Sequence, residues 1–188
     1  MGRRIAETER LIIRTHEAAD AEPLAKLWCD PVATAYVGGP RAFDRVCQSI
    51  CEGVVLPEQP KFDLWTVIEK ATGDVVGHCG LLAKEIEGRS EIELVYVIAP
   101  RLWGRGYATE AGRAIKCYAL TSLACDRLVA LISPENSASV RVAEKLGFRL
   151  VRAVERSHGT MHLYGFGAGI PPIDSSRRFE GIFLRRAC

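Results

Sequence analysis

The stretch Ile98-Ala99-Pro100-Arg101-Leu102-Trp103-Gly104-Arg105-Gly106-Tyr107-Ala108-Thr109-Glu110-Ala111 decides how the chain is read. An apolar run, Leu94 to Ile98, leads into it and a helical pattern leads out. It therefore reads as a strand, a loop with two glycines one residue apart, and a helix start. A helix N-terminus carries unpaired backbone N–H groups and a partial positive charge. Glycines just before it let an anion approach the backbone unobstructed. Gly104-Arg105-Gly106 lacks the third glycine of a dinucleotide fingerprint and the Lys-Ser/Thr pair of a nucleotide P-loop. The loop predicts a phosphorylated ligand other than NAD or ATP.

Arg101-x-x-Gly104-x-Gly106 resembles the Q/R-x-x-G-x-G/A signature of the GNAT superfamily of N-acetyltransferases, and Pro100 to Ala111 resembles the form found in its ribosomal-protein N-terminal acetyltransferases. A second segment, Asn136-Ser137-Ala138-Ser139-Val140-Arg141-Val142-Ala143-Glu144-Lys145-Leu146-Gly147-Phe148, resembles the N-x-x-S-x-x-v-x-E-K-L-G-F run of the same branch. The likeness covers Glu9 to Phe166, leaving residues 1–8 as a polar tail and 167–188 as a C-terminal extension. It implies an acetyl-CoA-dependent enzyme with an α/β fold: a mixed, mostly antiparallel sheet with one splayed parallel strand pair and helices on both faces.

The chain of 188 residues suits one domain with a sizeable core. Its net charge of +2 is spread along the sequence, which gives no footprint for nucleic acid. No apolar stretch approaches the roughly 20 residues that span a bilayer, and the polar N-terminus has no secretory core, so a cytoplasmic protein is expected. Seven cysteines, an odd number, lie in segments read as helix or strand. Cys29, Cys79 and Cys117 are expected to be buried in a reducing compartment. Cys47 and Cys51 have no third ligand at a metal spacing, and no metal is expected.

Leu11 to Thr15 reads as the first strand. A helix capped by Asp20 follows until Asp30-Pro31, and a second runs from Arg41 to Val54 with Phe43, Val46, Cys47, Ile50, Cys51 and Val54 on one face. Strands are expected over Leu64 to Glu69, Val75 to Leu82 and, after a turn at Gly88 to Ser90, Ile92 to Ile98. A helix to about Ser122, a strand over Leu128 to Ile132 and a short helix over Ser137 to Lys145 come next. Phe148 to Val154 and Met161 to Phe166 close the domain as a hairpin around His158-Gly159. Gly167 to Pro172 reads as a linker, and Phe179 to Leu184 is apolar enough to dock on the body or on a second copy in a homodimer.

Acetyl transfer requires a held donor, a polarised carbonyl, a neutral amine and a protonated leaving thiolate. The backbone amides of Gly104, Arg105, Gly106, Ala108 and Thr109 suit a pyrophosphate, with Arg101 or Arg105 adding charge, and Trp103 and Tyr107 flanking. By resemblance, the N–H of Val97 or Ile98 faces the thioester oxygen, Asn136 meets the pantetheine amides, and Ser139 protonates the thiolate. Many relatives place a tyrosine acid where this chain has Ala143; Ser139 equally fits a plain first-turn residue. Glu93 matches the family's glutamate and is a candidate base, the alternative being a cross-strand-paired carboxylate. Trp28, Tyr36, Trp65 and Tyr96 are candidates for the acceptor wall. His78 and His162 read as structural. The acceptor is a primary amine, on a protein N-terminus or a small molecule. The rivals are a non-catalytic CoA-binding sensor and a nucleotide-phosphate-binding protein, the latter disfavoured because no Mg²⁺-ligating residue follows the loop.

Overall fold

The structure is a computed structural model that describes residues 2–55, 60–156 and 159–170. Eight strands form one sheet: β1 (Arg4–Glu7), β2 (Leu11–Arg14), β3 (Leu64–Glu69), β4 (Val75–Ile86), β5 (Arg89–Ile98), β6 (Arg127–Ile132), β7 (Arg149–Arg156) and β8 (Gly159–Gly167). Their spatial order is β1-β2-β3-β4-β5-β6-β8-β7, antiparallel throughout except for the parallel β5–β6 pair. The helices are α1 (Ala21–Cys29), α2 (Pro31–Thr34), α3 (Phe43–Val54), α4 (Tyr107–Ser122) and α5 (Ser137–Lys145).

Two apolar clusters, one on each side of the sheet, explain the layering. Ala111, Ile115 and Ala119 of α4 and Ala143 and Leu146 at the end of α5 pack with Leu11, Ile13, Leu81, Leu94 and Leu128. Leu24, Leu27 and Trp28 of α1 and Val46 and Ile50 of α3 pack with Val97. A polar row lies beneath α1, because the registers Arg14↔Thr66 and Thr66↔His78 place these three residues side by side across β2, β3 and β4, with apolar Val97 next to His78 on β5. Asp20 holds the row at one end: it accepts from Arg14 at 2.6 and 2.8 Å, from the Thr66 hydroxyl at 2.9 Å and from the Glu17 amide at 2.8 Å.

Several expectations are corrected. Residues 4–7 of the expected tail form an edge strand, since Ile5 buries its side chain while charged Arg4 and Glu7 stay at the rim, a common way of protecting a sheet edge. The turn between β4 and β5 falls at Glu87-Gly88, both with positive φ, so these strands are longer than the apolar pattern alone indicates. Asp30 ends α1 and also caps α2, accepting from the Val32 amide at 2.7 Å. On α3 only Val46 and Ile50 are buried, and Phe43 and Cys51 are exposed. Cys79 is buried as expected, whereas Cys117 is exposed on α4. The expected docking segment, Phe179 to Leu184, and His158 of the hairpin lie outside the described residues.

Candidate active site

Backbone hydrogen-bond directions outline the candidate site. The Ala99 amide donates to the Val76 carbonyl at 2.9 Å, which fixes the alternation along the antiparallel β4–β5 pair. Residues 91, 93, 95 and 97 direct their peptide groups to β4; Leu94, Tyr96 and Ile98 direct theirs toward β6. Among the described residues β5 and β6 are in register at one pair alone, Glu93↔Val129. Beyond it the strands part, and the N–H groups of Tyr96 and Ile98 face the gap. Of the two expected oxyanion donors, Ile98 is therefore on the open side and Val97 is committed to β4. The gap widens into a cleft of about 60 Å³ lined by Glu93, Tyr96, Leu131, Asn136, Ser139 and Tyr36.

At the end of β5 the chain turns through Pro100–Leu102, and Trp103 folds back to donate its indole N–H to the Ile98 carbonyl at 2.7 Å. Gly104 and Gly106 both take left-handed conformations, φ +77° and +81°, where a side chain would strain the backbone. A Cβ at Gly104 would meet nothing within 4 Å, so the loop leaves room above itself. Among the described residues the amides of Gly104, Gly106, Tyr107, Ala108 and Thr109 have no acceptor, while that of Arg105 reaches the Leu102 carbonyl at 3.4 Å. The Tyr107 side chain is buried and its hydroxyl donates to Glu69, so this residue offers only its amide. Arg10, outside the motif, clamps the turn: it donates to Glu110 at 2.7 Å and to the Arg105 carbonyl at 3.0 Å, and stacks on the Tyr107 ring.

Across the cleft, Asn136 caps α5 by accepting the Ser139 amide at 3.1 Å. This uses its side-chain oxygen and leaves its NH₂ free to donate. The Tyr96 hydroxyl donates to the Ser139 carbonyl at 3.1 Å, and burial pushes the phenol well above its ordinary pKa, so it stays protonated. Ala143 is buried in the core and supplies no polar group.

The carboxylates of β5 are engaged. Glu91 is held by two bonds of 2.8 Å from Arg127. Glu93, 5% exposed, accepts the Leu131 amide on Oε1 at 3.3 Å. Lys84 Nζ lies 2.8 Å from its Oε2, close enough to pair charge although not along a hydrogen-bonding direction. This is the cross-strand-paired alternative.

The aromatic candidates separate. Trp65 is buried on the α4 side, edge-on to Tyr118, and does not face the cleft; its strand parity sends it into the larger core. Trp28 is buried beneath Arg41, which stacks 3.9 Å from its ring, and donates its indole N–H to His78 Nδ1 at 3.0 Å. That bond requires the Nε2–H tautomer of a neutral imidazole. Burial takes the His78 pKa down to about 3, and its Nε2 has no partner among the described residues. His16 stacks on His78 with ring centroids 4.9 Å apart, and Asp63, its carboxyl raised by burial, exerts its charge on His16. Sequence patterning missed His16 and Asp63 because each sits in a loop with no periodic signal, and it read Arg41 as the start of a helix that begins only at Phe43. Tyr36, half-exposed, reaches the cleft mouth.

Residues 10–149 match the acetyltransferase (GNAT) domain, and the chain belongs to the GNAT acetyltransferases. The uncharacterised N-acetyltransferase p20 of Bacillus licheniformis is 32% identical over 163 residues, 82% of this chain and 89% of that protein. The uncharacterised protein YkkB of Bacillus subtilis is 31% identical over 158 residues, 84% of this chain and 92% of its own. The crystal structure of a GNAT-family acetyltransferase from Bacillus anthracis superposes with a TM-score of 0.73 at 24% identity, covering 86% of this chain and 97% of that one. The ribosomal L7/L12 alpha-N-protein acetyltransferase RimL, solved in complex with coenzyme A, gives 0.73 at 14% identity, covering 87% and 97%. At such identities these structures share the fold. Among the described residues no helix is long and apolar enough to cross a membrane, and no group of three or more His, Cys, Asp or Glu is placed to hold a metal.

Proposed function

We propose that the enzyme transfers acetyl from acetyl-CoA to a primary amine by direct attack in a ternary complex. The observation that carries this reading is the parting of β5 and β6 beyond Glu93↔Val129 into a cleft beside the end of β5, from which the chain runs straight into the glycine loop. A pantetheine arm is an extended chain with two amides, and the open edge of β5 offers it the pairing a strand would have. The Asn136 NH₂ meets the arm from the other side. The loop glycines and the first turn of α4 then take the pyrophosphate on the free amides, with Arg101 and Arg105 exposed beside it.

The amine nitrogen attacks the thioester carbonyl, and the oxygen that gains charge is stabilised by the Ile98 N–H. The carbon–sulfur bond breaks and the amide forms; the thiolate takes a proton from the Ser139 hydroxyl, and the proton given up by the amine nitrogen returns to Ser139 through water. Tyr36 borders the entry of the acceptor, whereas Trp28, buried under Arg41, does not line the cleft. The acceptor is a protein or peptide α-amine or a small-molecule amine. The engaged state of Glu93 and the buried Ala143 also suit a CoA-binding module without turnover, and a rate measurement separates the two.

Calorimetric titration with acetyl-CoA, with NAD and ATP as controls, tests the donor site. Steady-state release of CoA with an N-terminal peptide, a polyamine and an aminoglycoside tests the acceptor. Binding of acetyl-CoA alone together with turnover of one amine supports the proposal. Binding without turnover of any amine supports the module, and no binding ends both readings.

A further inference from the structure

We infer that Glu93 is a positioning residue that opens the donor cleft, by taking the hydrogen bond that would otherwise zip β5 to β6. Continuing the ladder past Glu93↔Val129, the Leu131 amide would donate next to the Leu94 carbonyl, since Leu94 is the residue of β5 whose peptide groups face β6. It donates instead to Glu93 Oε1 at 3.3 Å. The carboxylate occupies the apex of the gap, and the strands diverge from that point. No extra residue in β5 causes the opening, because the β4–β5 register runs without a bulge from Gly77↔Ile98 to Ile86↔Arg89.

A buried carboxylate needs its charge offset to hold this position. Lys84, on β4 and 42% exposed, supplies it from the side away from the gap. The Leu131 N–H is therefore satisfied without a strand partner, and the Leu94 carbonyl and the peptide edges of Tyr96 and Ile98 stay unpaired with β6. One Glu93 oxygen is thus on the Leu131 amide and the other beside the Lys84 ammonium. The functional consequence rests on the acetyl-CoA reading; the structural statement does not.

The test compares Glu93→Ala with Glu93→Gln. Glutamine keeps a carbonyl for the Leu131 amide, and alanine removes it. By NMR on the free protein, Glu93→Ala should gain cross-strand contacts between β5 and β6 beyond the Glu93↔Val129 pair, and Glu93→Gln should not. Acetyl-CoA affinity should fall about tenfold or more in the alanine variant and within about threefold in the glutamine variant, a difference on the scale of one lost charge-assisted hydrogen bond. Should alanine fail to fold, Glu93→Val supplies a strand former without an acceptor for the same comparison. Two results overturn the inference: unchanged cross-strand contacts in the acceptor-less variant, or a loss of turnover in Glu93→Gln that is large near pH 7 and recovers near pH 9, the mark of a general base. Failure of the wild-type chain to bind acetyl-CoA would remove the donor reading while leaving the strand contacts readable.

Discussion

Between Pro100 and Thr109 the backbone makes the site and the side chains mostly stand aside: two left-handed glycines, a helix start with free amides, and exposed Arg101 and Arg105. Beneath α1 the arrangement is reversed. There Trp28, His78, His16, Asp63 and Arg41 come from five separate segments and make their environment through side chains, with Trp28 and His78 buried. A backbone site is local and compact in sequence; a side-chain site exists only after distant strands have paired. Substitutions should therefore affect the first region through ligand binding and the second through folding.

The largest expected effect is on the second region. Trp28→Ala should destabilise the fold by about 3–5 kcal/mol, the range for emptying a buried aromatic site, measured by urea unfolding. An unchanged midpoint would erase the contrast.

The paired substitution Gly104→Glu with Gly106→Glu is next. It should weaken acetyl-CoA binding by about 100-fold or more, roughly 2.7 kcal/mol, because carboxylates replace the space and sign the phosphates need. The protein should still fold, with a smaller loss from placing side chains at positive φ. Folding lost with binding retained would reverse the assignment of the loop.

His78→Gln sharpens the comparison through pH. The native imidazole is neutral down to about pH 3, whereas the unfolded one takes up a proton near 6.5. Between these values the unfolded state binds more protons, so wild-type stability should fall as pH drops through that window. The variant should show a shallower fall in melting temperature from pH 6.5 to 4. Some loss at lower pH should remain from Asp20, where burial opposes ionisation but Arg14, the Glu17 amide and Thr66 together hold the carboxyl below its ordinary value. That contribution is present above the unfolded carboxyl value and disappears as pH falls through the native one. Equal slopes in wild type and variant would show that His78 does not titrate as its burial demands.

The smallest effect concerns Ser139→Ala, expected to lower kcat about tenfold with the KM for acetyl-CoA unchanged, as for loss of one proton donor backed by water. A rise in KM with kcat preserved would make Ser139 a binding residue of the first turn of α5.

The glycine loop and α5 were legible because each is a short contiguous signal, a glycine spacing before a helix start and a helical run followed by Gly147, whereas the capping of α5 by Asn136 emerged only from the structure. Element order followed from apolar periodicity, and departures came where polarity masks a strand, as at residues 4–7. Glu93 shows the limit within one residue. Its strand parity was readable, but whether its oxygens are free depends on Lys84 and Leu131, which approach from neighbouring strands. Trp65 and Trp28 have similar apolar contexts in sequence, and only the sheet's two faces send one into the α4 core and the other beneath α1.

By itself the sequence determined the strand–loop–helix with unpaired amides at its turn, since left-handed glycines and an uncapped helix start are properties of adjacent residues. The tertiary structure alone decided where β5 and β6 part, which of Val97 and Ile98 faces the gap, and that Glu93 stands at the apex. Hydrogen-bond direction and charge pairing across a sheet are set by register, and register is a relation between strands that no single segment contains.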